Sequence, residues 1–340
     1  MQILQVSQSY LPNVGGVEKH LQQVNRYLLK AGHQVTVLTG GRQETGQDQA
    51  IIEQVPVFYL DNQPQANYKW HIWKQILQHQ QLFHQADIIQ MHDVFWWALP
   101  LYPFIKSRVF TTFHGYEGSQ APDKKAIRAH QLAWRLSRGS LAIGGFHHKY
   151  YGITPDVISF GASDLQLNQH STKRRQSAKK IIFIGRLAPD TGILEYLKAL
   201  KLLKKQQHNY SLDVYGDGPL LDQATKYAQK QRLAVTFHGF QADADRLLVN
   251  YPIAFVSQYL AIAETLKSGC QVIAYYNNQL KQDYLKMSPF PKYITMVHDA
   301  QEISQQLESG SRQASLDQAL AKRLTWSTVT KQYLRLWQKN

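Results

Sequence analysis

Apolar residues in this chain alternate between two rhythms. Ile3, Leu4 and Val6 form a short strand-like run, and Val17, Leu21, Val24 and Leu28 then recur at spacings of four, three and four, one face of a helix. Gly32 stops that helix, and Val35, Val37 and Leu38 open a second strand. The chain therefore begins with a strand–helix–strand unit. Apolar runs follow at 86–91, 108–113, 141–143 and 157–160, separated by helical stretches at 68–84 and 124–138. Between 163 and 180 the pattern lapses into Asn, Gln and Ser with a basic cluster at Lys173, Arg174 and Arg175, which reads as a linker. The alternation then restarts, with strands at 181–184, 211–215, 234–237, 253–256 and 271–275 and helices at 193–203, 220–231 and 263–267. Apolar strands alternating with helices predict parallel sheets covered on both faces, so the expected fold is α/β with two doubly wound domains. Ligands of such sheets bind at the carboxyl ends of strands, and a cleft between the domains is the expected site.

Composition narrows the picture. A length of 340 residues suits two domains, and 44% hydrophobic with 18% charged residues excludes a disordered chain. The formal charge of +14 favours phosphate-rich partners: nucleic acid, anionic lipid or sugar nucleotides. A single cysteine, Cys270, rules out an internal disulfide and any zinc site built from cysteine pairs, so a reducing, cytoplasmic setting is expected. Residues 1–9 read as a strand rather than a secretory signal. The most apolar run, 94–105, is too short to span a bilayer and carries Pro100 and Pro103. Any membrane association is expected to be peripheral.

Several short motifs fall at strand-to-helix junctions. Gly15-Gly16-Val17-Glu18 opens the first helix, where glycines are either a tight turn or a close backbone approach to an anion. His114, followed by Gly115, ends a strand; it is a structural histidine or one that acts on a ligand. Arg186 follows the strand 181–184 and fits either a phosphate fork or a surface ion pair. Gly216-Asp217-Gly218 is a glycine turn between strand and helix. Glu264 sits in a short helix, as a solvated carboxylate or one that holds ribose hydroxyls.

In order along the chain, GGVEKH, TFHG, FIGRLAPDTGILEYLKAL, DVYGDGP, VTFHGF and AETLKSGCQVIAY resemble glycosyltransferase family 4, retaining enzymes of the GT-B fold. The likeness covers nearly the whole chain. It implies two Rossmann-like domains facing a central cleft: an acceptor-binding domain at 1–165, a linker at 166–179 and a nucleotide-sugar-binding domain at 180–325. Leu324-Thr325-Trp326-Ser327 and the helix after it resemble the family's last segment, which implies that 326–340 packs back on the first domain. The implied reaction transfers a sugar from a nucleotide-diphosphate donor, UDP or GDP, to an acceptor with retention of configuration. No metal and no further cofactor is implied, so fixed charge and helix dipoles must stabilise the departing diphosphate.

By the same resemblance, Arg186 contacts the diphosphate, Glu264 the ribose, and His114 the sugar near the reacting centre. Gly15 and Gly16 line the site beside phosphates and acceptor, and Gly216 and Gly218 shape the turn near the nucleotide. Two departures stand out. The family's lysine five residues after the arginine is Thr191 here, and a lost charge-assisted contact is worth roughly 1.5–3 kcal/mol. The family's first glutamate, with its glycine loop, is missing from 257–263.

Two stretches mix basic and aromatic residues. One carries Lys69, Trp70, Trp73, Lys74, Ile76 and Leu77; the other carries Lys124, Lys125, Arg128, Trp134, Arg135 and Arg138. Each is an ordinary amphipathic helix or a surface for anionic membrane. Three functions therefore compete: an active glycosyltransferase with a glycan or lipid-linked acceptor at the inner membrane face, a catalytically degenerate GT-B subunit that binds glycan or partners an active enzyme, and a nucleic-acid binder. Charge alone motivates the third, and no zinc-finger or RNA-binding signature supports it.

Overall fold

The structure is a computed structural model that describes residues 1–116, 120–167, 179–310 and 313–339. The cluster Lys173, Arg174 and Arg175 and most of the expected linker 166–179 lie outside the described residues. The chain divides into two compact units, the first formed by Met1–Glu117, Pro122–Ser159 and Trp326–Asn340, the second built on Phe160–Thr325.

Unit 1 carries an eight-stranded sheet: β1 (Gln2–Ser7), β2 (Gln34–Gly40), β3 (Gln49–Ile52), β4 (Val55–Leu60), β5 (Ile88–His92), β6 (Val109–Phe113), β7 (Gly139–Ile143) and β8 (Val157–Ser159). Their order is β3-β4-β2-β1-β5-β6-β7-β8, with every pair parallel except β3 against β4. Among its helices are α1 (Gly16–Lys30), α2 (Tyr68–Gln78) and α3 (Lys124–Leu136). Leu21, Val24 and Leu28 of α1 are buried, each such side chain contributing about 1.5–3 kcal/mol.

Unit 2 carries β9 (Lys180–Ile184), β10 (Ser211–Tyr215), β11 (Ala234–Phe237), β12 (Ile253–Phe255), β13 (Gln271–Tyr275) and β14 (Ile294–Val297). Their order, β11-β10-β9-β12-β13-β14, is all parallel. Its longer helices are α4 (Ile193–Lys205), α5 (Leu221–Lys230), α6 (Tyr259–Ser268), α7 (Gln279–Lys286) and α8 (Ala300–Ser309). The chain then returns to unit 1 as α9 (Trp326–Lys339), which packs on α1 through buried Trp326, Val329, Tyr333 and Trp337.

Both sheets reverse direction of growth in mid-sheet, between β1 and β5 in unit 1 and between β9 and β12 in unit 2. A crevice opens outside the strand ends at such a point. These two switch points are where a doubly wound unit takes its ligand.

Three elements differ from the periodicity. The stretch 68–84 is two helices, α2 and Gln80–Gln85, because His79 leaves helical geometry at φ −99 and ψ 17. The β3–β4 hairpin has no counterpart in the apolar pattern: β3 is a four-residue edge strand with every second residue exposed. Helix α6 is twice as long as the apolar stretch 263–267, because it begins at Tyr259, directly behind β12.

Candidate active site

At the unit 2 switch point, Gly185 carries the chain out of β9 to Arg186, whose guanidinium is 64% exposed. Its Nη2 lies 3.3 Å from Oδ1 of Asp190, a residue that is itself buried. The other carboxylate oxygen of Asp190 accepts from Gln258 Nε2 at 3.2 Å. Gln258 precedes α6 at the end of the neighbouring strand β12, so one carboxylate ties the two strand ends together. Glu264 lies six residues beyond Gln258, within α6, and is buried rather than solvated.

Thr191 is turned inward. Its hydroxyl lies 2.7 Å from the Arg186 carbonyl and 2.8 Å from that of Ala188, and it accepts from the Ala188 N–H at 3.2 Å. It closes the turn after Arg186. The glycines 216 and 218 act by close packing on the same loop. A Cβ at Gly216 would fall 1.9 Å from the Gly185 carbonyl oxygen, and one at Gly218 would fall 2.6 Å from that of Leu187.

At the unit 1 switch point, Ser7 ends β1 and His92 ends β5 in register with it. A pocket of about 340 Å3 opens there. Its lining carries the carboxylates of Glu18, Glu44 and Asp93 and the amides of Gln8, Asn13 and Asn62, with no Lys or Arg among the described residues that line it. Gly15 and Gly16 stand at the start of α1 beside it, and they are not equivalent. A Cβ at Gly15 would meet the Glu18 carboxylate at 2.5 Å, whereas one at Gly16 would meet nothing within 4 Å.

His114 leaves β6 next to the same strand ends. Its backbone N–H donates to the Asp93 carboxylate at 3.1 Å, and Asp93 holds a left-handed φ of 60 to receive it. The ring is oriented by a chain of hydrogen bonds. Gln5 donates its amide to Asn25 Oδ1 at 3.2 Å, which leaves Gln5 Oε1 to accept from His92 Nε2 at 2.7 Å. His92 Nδ1 is then the acceptor for His114 Nε2 at 2.8 Å. The network thereby assigns the lone pair of His114 to Nδ1. Burial, with the neighbouring His20, His92 and His147, keeps His114 well below the ordinary imidazole value, so it is neutral at pH 7.

The structure thus groups Arg186, Thr191, Gly216, Gly218 and Glu264 at one switch point and Gly15, Gly16 and His114 at the other. Sequence reasoning missed the supporting residues: Gln5, His20, His92, Asp93, Asp190 and Gln258. His20 is buried on α1, with Nε2 2.9 Å from the Tyr333 hydroxyl of α9 and its ring edge-on to His114 at 4.9 Å. The available signal was polarity inside apolar strands: Gln5, Gln90 and His92 interrupt runs that are otherwise Ile, Leu, Val and Met. Among the described residues no group of three or more His, Cys, Asp or Glu side chains is placed to hold a metal ion.

Comparison with known proteins divides the chain at the same boundary. A family model described as Glycosyltransferase Family 4 matches residues 14–159, and one described as Glycosyl transferases group 1 matches 166–323. Digalactosyldiacylglycerol synthase 2, chloroplastic, of Glycine max is 26% identical over 191 residues, and its Arabidopsis thaliana counterpart 23% over 192. Each match covers a little over half of this chain, 54% and 55%, but only 40% and 39% of the relative. Among solved structures, Anabaena HepE in complex with UDP and glucose is similar with TM-score 0.71 at 17% identity, over 98% of this chain and 97% of that one. WaaG, a glycosyltransferase involved in lipopolysaccharide biosynthesis, gives 0.62 at 13% identity over 99% and 98%. With one glycosyltransferase model matching each of two parallel-sheet units, and this fold shared along the whole chain, the protein belongs to the GT-B glycosyltransferases.

Proposed function

We propose that the protein is a retaining, metal-independent glycosyltransferase that moves a sugar from a nucleotide-diphosphate donor onto a hydroxyl-rich, lipid-anchored acceptor at the inner face of a membrane. The observation that carries this reading is the pairing of two chemically different switch points. In unit 2, an exposed guanidinium braced by Asp190 faces outward where a diphosphate needs positive charge, and Glu264 follows on the adjacent strand end. In unit 1, a pocket of carboxylates and amides without a cation suits sugar hydroxyls and disfavours phosphate. His114, neutral with its lone pair on Nδ1, accepts a hydrogen bond from a sugar hydroxyl rather than donating one. Gly16 leaves room at the start of α1 for a ligand to approach the backbone.

The lipid-anchored acceptor draws support from the galactolipid synthases among the relatives and from the exposed Trp70 and Phe104 of unit 1. UDP is the preferred nucleotide on the strength of the UDP-bound structural neighbour. One observation favours a second reading, a degenerate binding subunit: Thr191 spends its hydroxyl on the turn and offers a donor nothing.

Transfer assays decide between them. Purified protein is incubated with UDP, GDP or ADP sugars and vesicles holding either a neutral glycolipid or a lipid phosphate. Transfer to the glycolipid, lost in Arg186→Ala and Glu264→Ala, is the expected outcome. Glycolipid binding with neither transfer nor donor hydrolysis would leave the degenerate subunit.

A further inference from the structure

A donor diphosphate brings several negative charges, and the Arg186–Asp190 pair that meets it is, taken alone, neutral. A further positive charge is coupled to the pair. Lys281, on α7 at the end of β13, is fully buried, with Nζ 4.5 Å from the centre of the Tyr284 ring, on which Tyr259 stacks at 3.7 Å. The charges that act on it are Asp190 and Arg186. A buried ammonium is expensive to keep, and the charge that favours this one is Asp190, the buried carboxylate that braces the exposed guanidinium.

Resting on the donor reading above, we propose that Lys281 is the second cation of the diphosphate subsite, a positioning residue that balances Asp190 so that Arg186 presents a net positive charge to a nucleoside diphosphate. It supplies a charge that Thr191 does not. The same arrangement gives donor binding a pH dependence. Burial pulls Lys281 from its ordinary value down to about 7, Asp190 acting against that shift and Arg186 with it. Below pH 7 the cluster of Arg186, Asp190 and Lys281 carries a net positive charge. Above it Lys281 is neutral and the cluster has none. A bound diphosphate favours the charged form, so binding takes up a proton and weakens as pH rises through this range, by at most about tenfold per pH unit. The other titratable groups of the elements around Lys281 are Glu264 and Lys267 on α6 and Asp283 and Lys286 on its own helix.

The test is calorimetric binding of UDP between pH 7.0 and 8.5, repeated with GDP and ADP, in buffers of different ionisation enthalpy. The wild type is expected to bind one of them with proton uptake and with affinity falling about tenfold or more over the range. Lys281→Met should bind about tenfold more weakly at pH 7.0 and lose the pH dependence. Lys281→Arg, charged throughout, should bind well with a flat profile. Adding Thr191→Lys to Lys281→Met should restore the affinity. Equal binding and equal pH profiles in wild type and Lys281→Met, with both folded by circular dichroism, would overturn the role of Lys281 and leave the donor reading intact. A wild type that binds none of the three nucleotides would overturn both.

Discussion

At the scale of single residues, two glycines in the same kind of turn answer to different constraints. Gly16 and Gly216 both open a strand-to-helix turn, yet only the second is fixed by packing. A methyl group at Gly216 would lie 1.9 Å from a backbone oxygen of the adjoining loop, which cannot swing aside as a side chain would. Gly216→Ala should cost about 1–3 kcal/mol in urea unfolding and weaken donor binding with it. Gly16 has open space, and alanine is the better helix former by about 0.5–1 kcal/mol. Gly16→Ala should therefore leave stability unchanged or raised, and on the proposed reading, in which a ligand uses that space, transfer should fall. Unimpaired kcat/KM in Gly16→Ala would remove Gly15 and Gly16 from the binding surface. The candidates Arg186 and His114 were legible because each sits next to a glycine at the end of an apolar run, whereas Glu264, inside α6, stood out only through the family resemblance. Two of their braces were not, because Gln258 and His92 become partners only through the order of the strands, which no local spacing encodes; Asp190 lies only four residues after Arg186.

Elements were legible in proportion to how completely they are buried. Strands β1, β5, β6 and β9 are almost wholly enclosed and read as mainly apolar runs, whereas β3, at a sheet edge, is four residues long with Gln49 and Ile51 exposed and left no signal. Helix α9 lends unit 1 a feature that its sequence hides: Tyr333 holds His20 and Thr112 at 2.9 and 2.8 Å, and Trp337 donates to Gln90 at 2.9 Å. The last helix thus closes a buried polar core beneath His114. That core makes unit 1 acid-sensitive. Burial pulls His20 down to about 3 and His147 to about 4, and His92 and His114 lie well below the usual value. An unfolded chain protonates these groups below about pH 6.5, while the folded unit resists until lower pH. Acid therefore favours unfolding, and unit 1 should lose stability as pH falls from 6.5 toward 4, by up to about 1.4 kcal/mol per pH unit for each site. All seven tryptophans belong to unit 1, so their fluorescence follows that unit alone. The urea midpoint read by tryptophan emission should fall steadily between pH 7 and 5. A midpoint that holds or rises would mean that these histidines are protonated in the folded unit. In unit 2 the exposed His298, raised by Glu302, pulls the other way and is silent in this signal.

At the scale of the whole molecule, the +14 charge is more than one diphosphate cluster can use. Part of it lies beside apolar side chains that a folded protein ordinarily covers. Trp70 is 70% exposed on α2 between Lys69 and Lys74, and Phe104 is 72% exposed two residues before Lys106. Helix α3 buries only Ala133, leaving Leu132 48% exposed near Lys124, Lys125, Arg128 and Arg135. No helix among the described residues is long and apolar enough to cross a membrane. Exposed aromatics set among cations are the composition of a surface that rests in an anionic lipid interface, with the rings in the headgroup layer and the charges above it. Such binding has two separable parts. The electrostatic part is screened by salt, whereas the burial of rings is not. Flotation with vesicles rich in anionic lipid should retain the protein at low ionic strength and release most of it at high. Lys69→Gln with Lys74→Gln should reduce retention at low salt only. Trp70→Ala with Phe104→Ala should reduce it at both, because ring burial contributes whether or not the charges are screened. Equal flotation by the ring variant and the wild type would move the lipid contact off Trp70 and Phe104, and no flotation at low salt would overturn the proposed membrane contact.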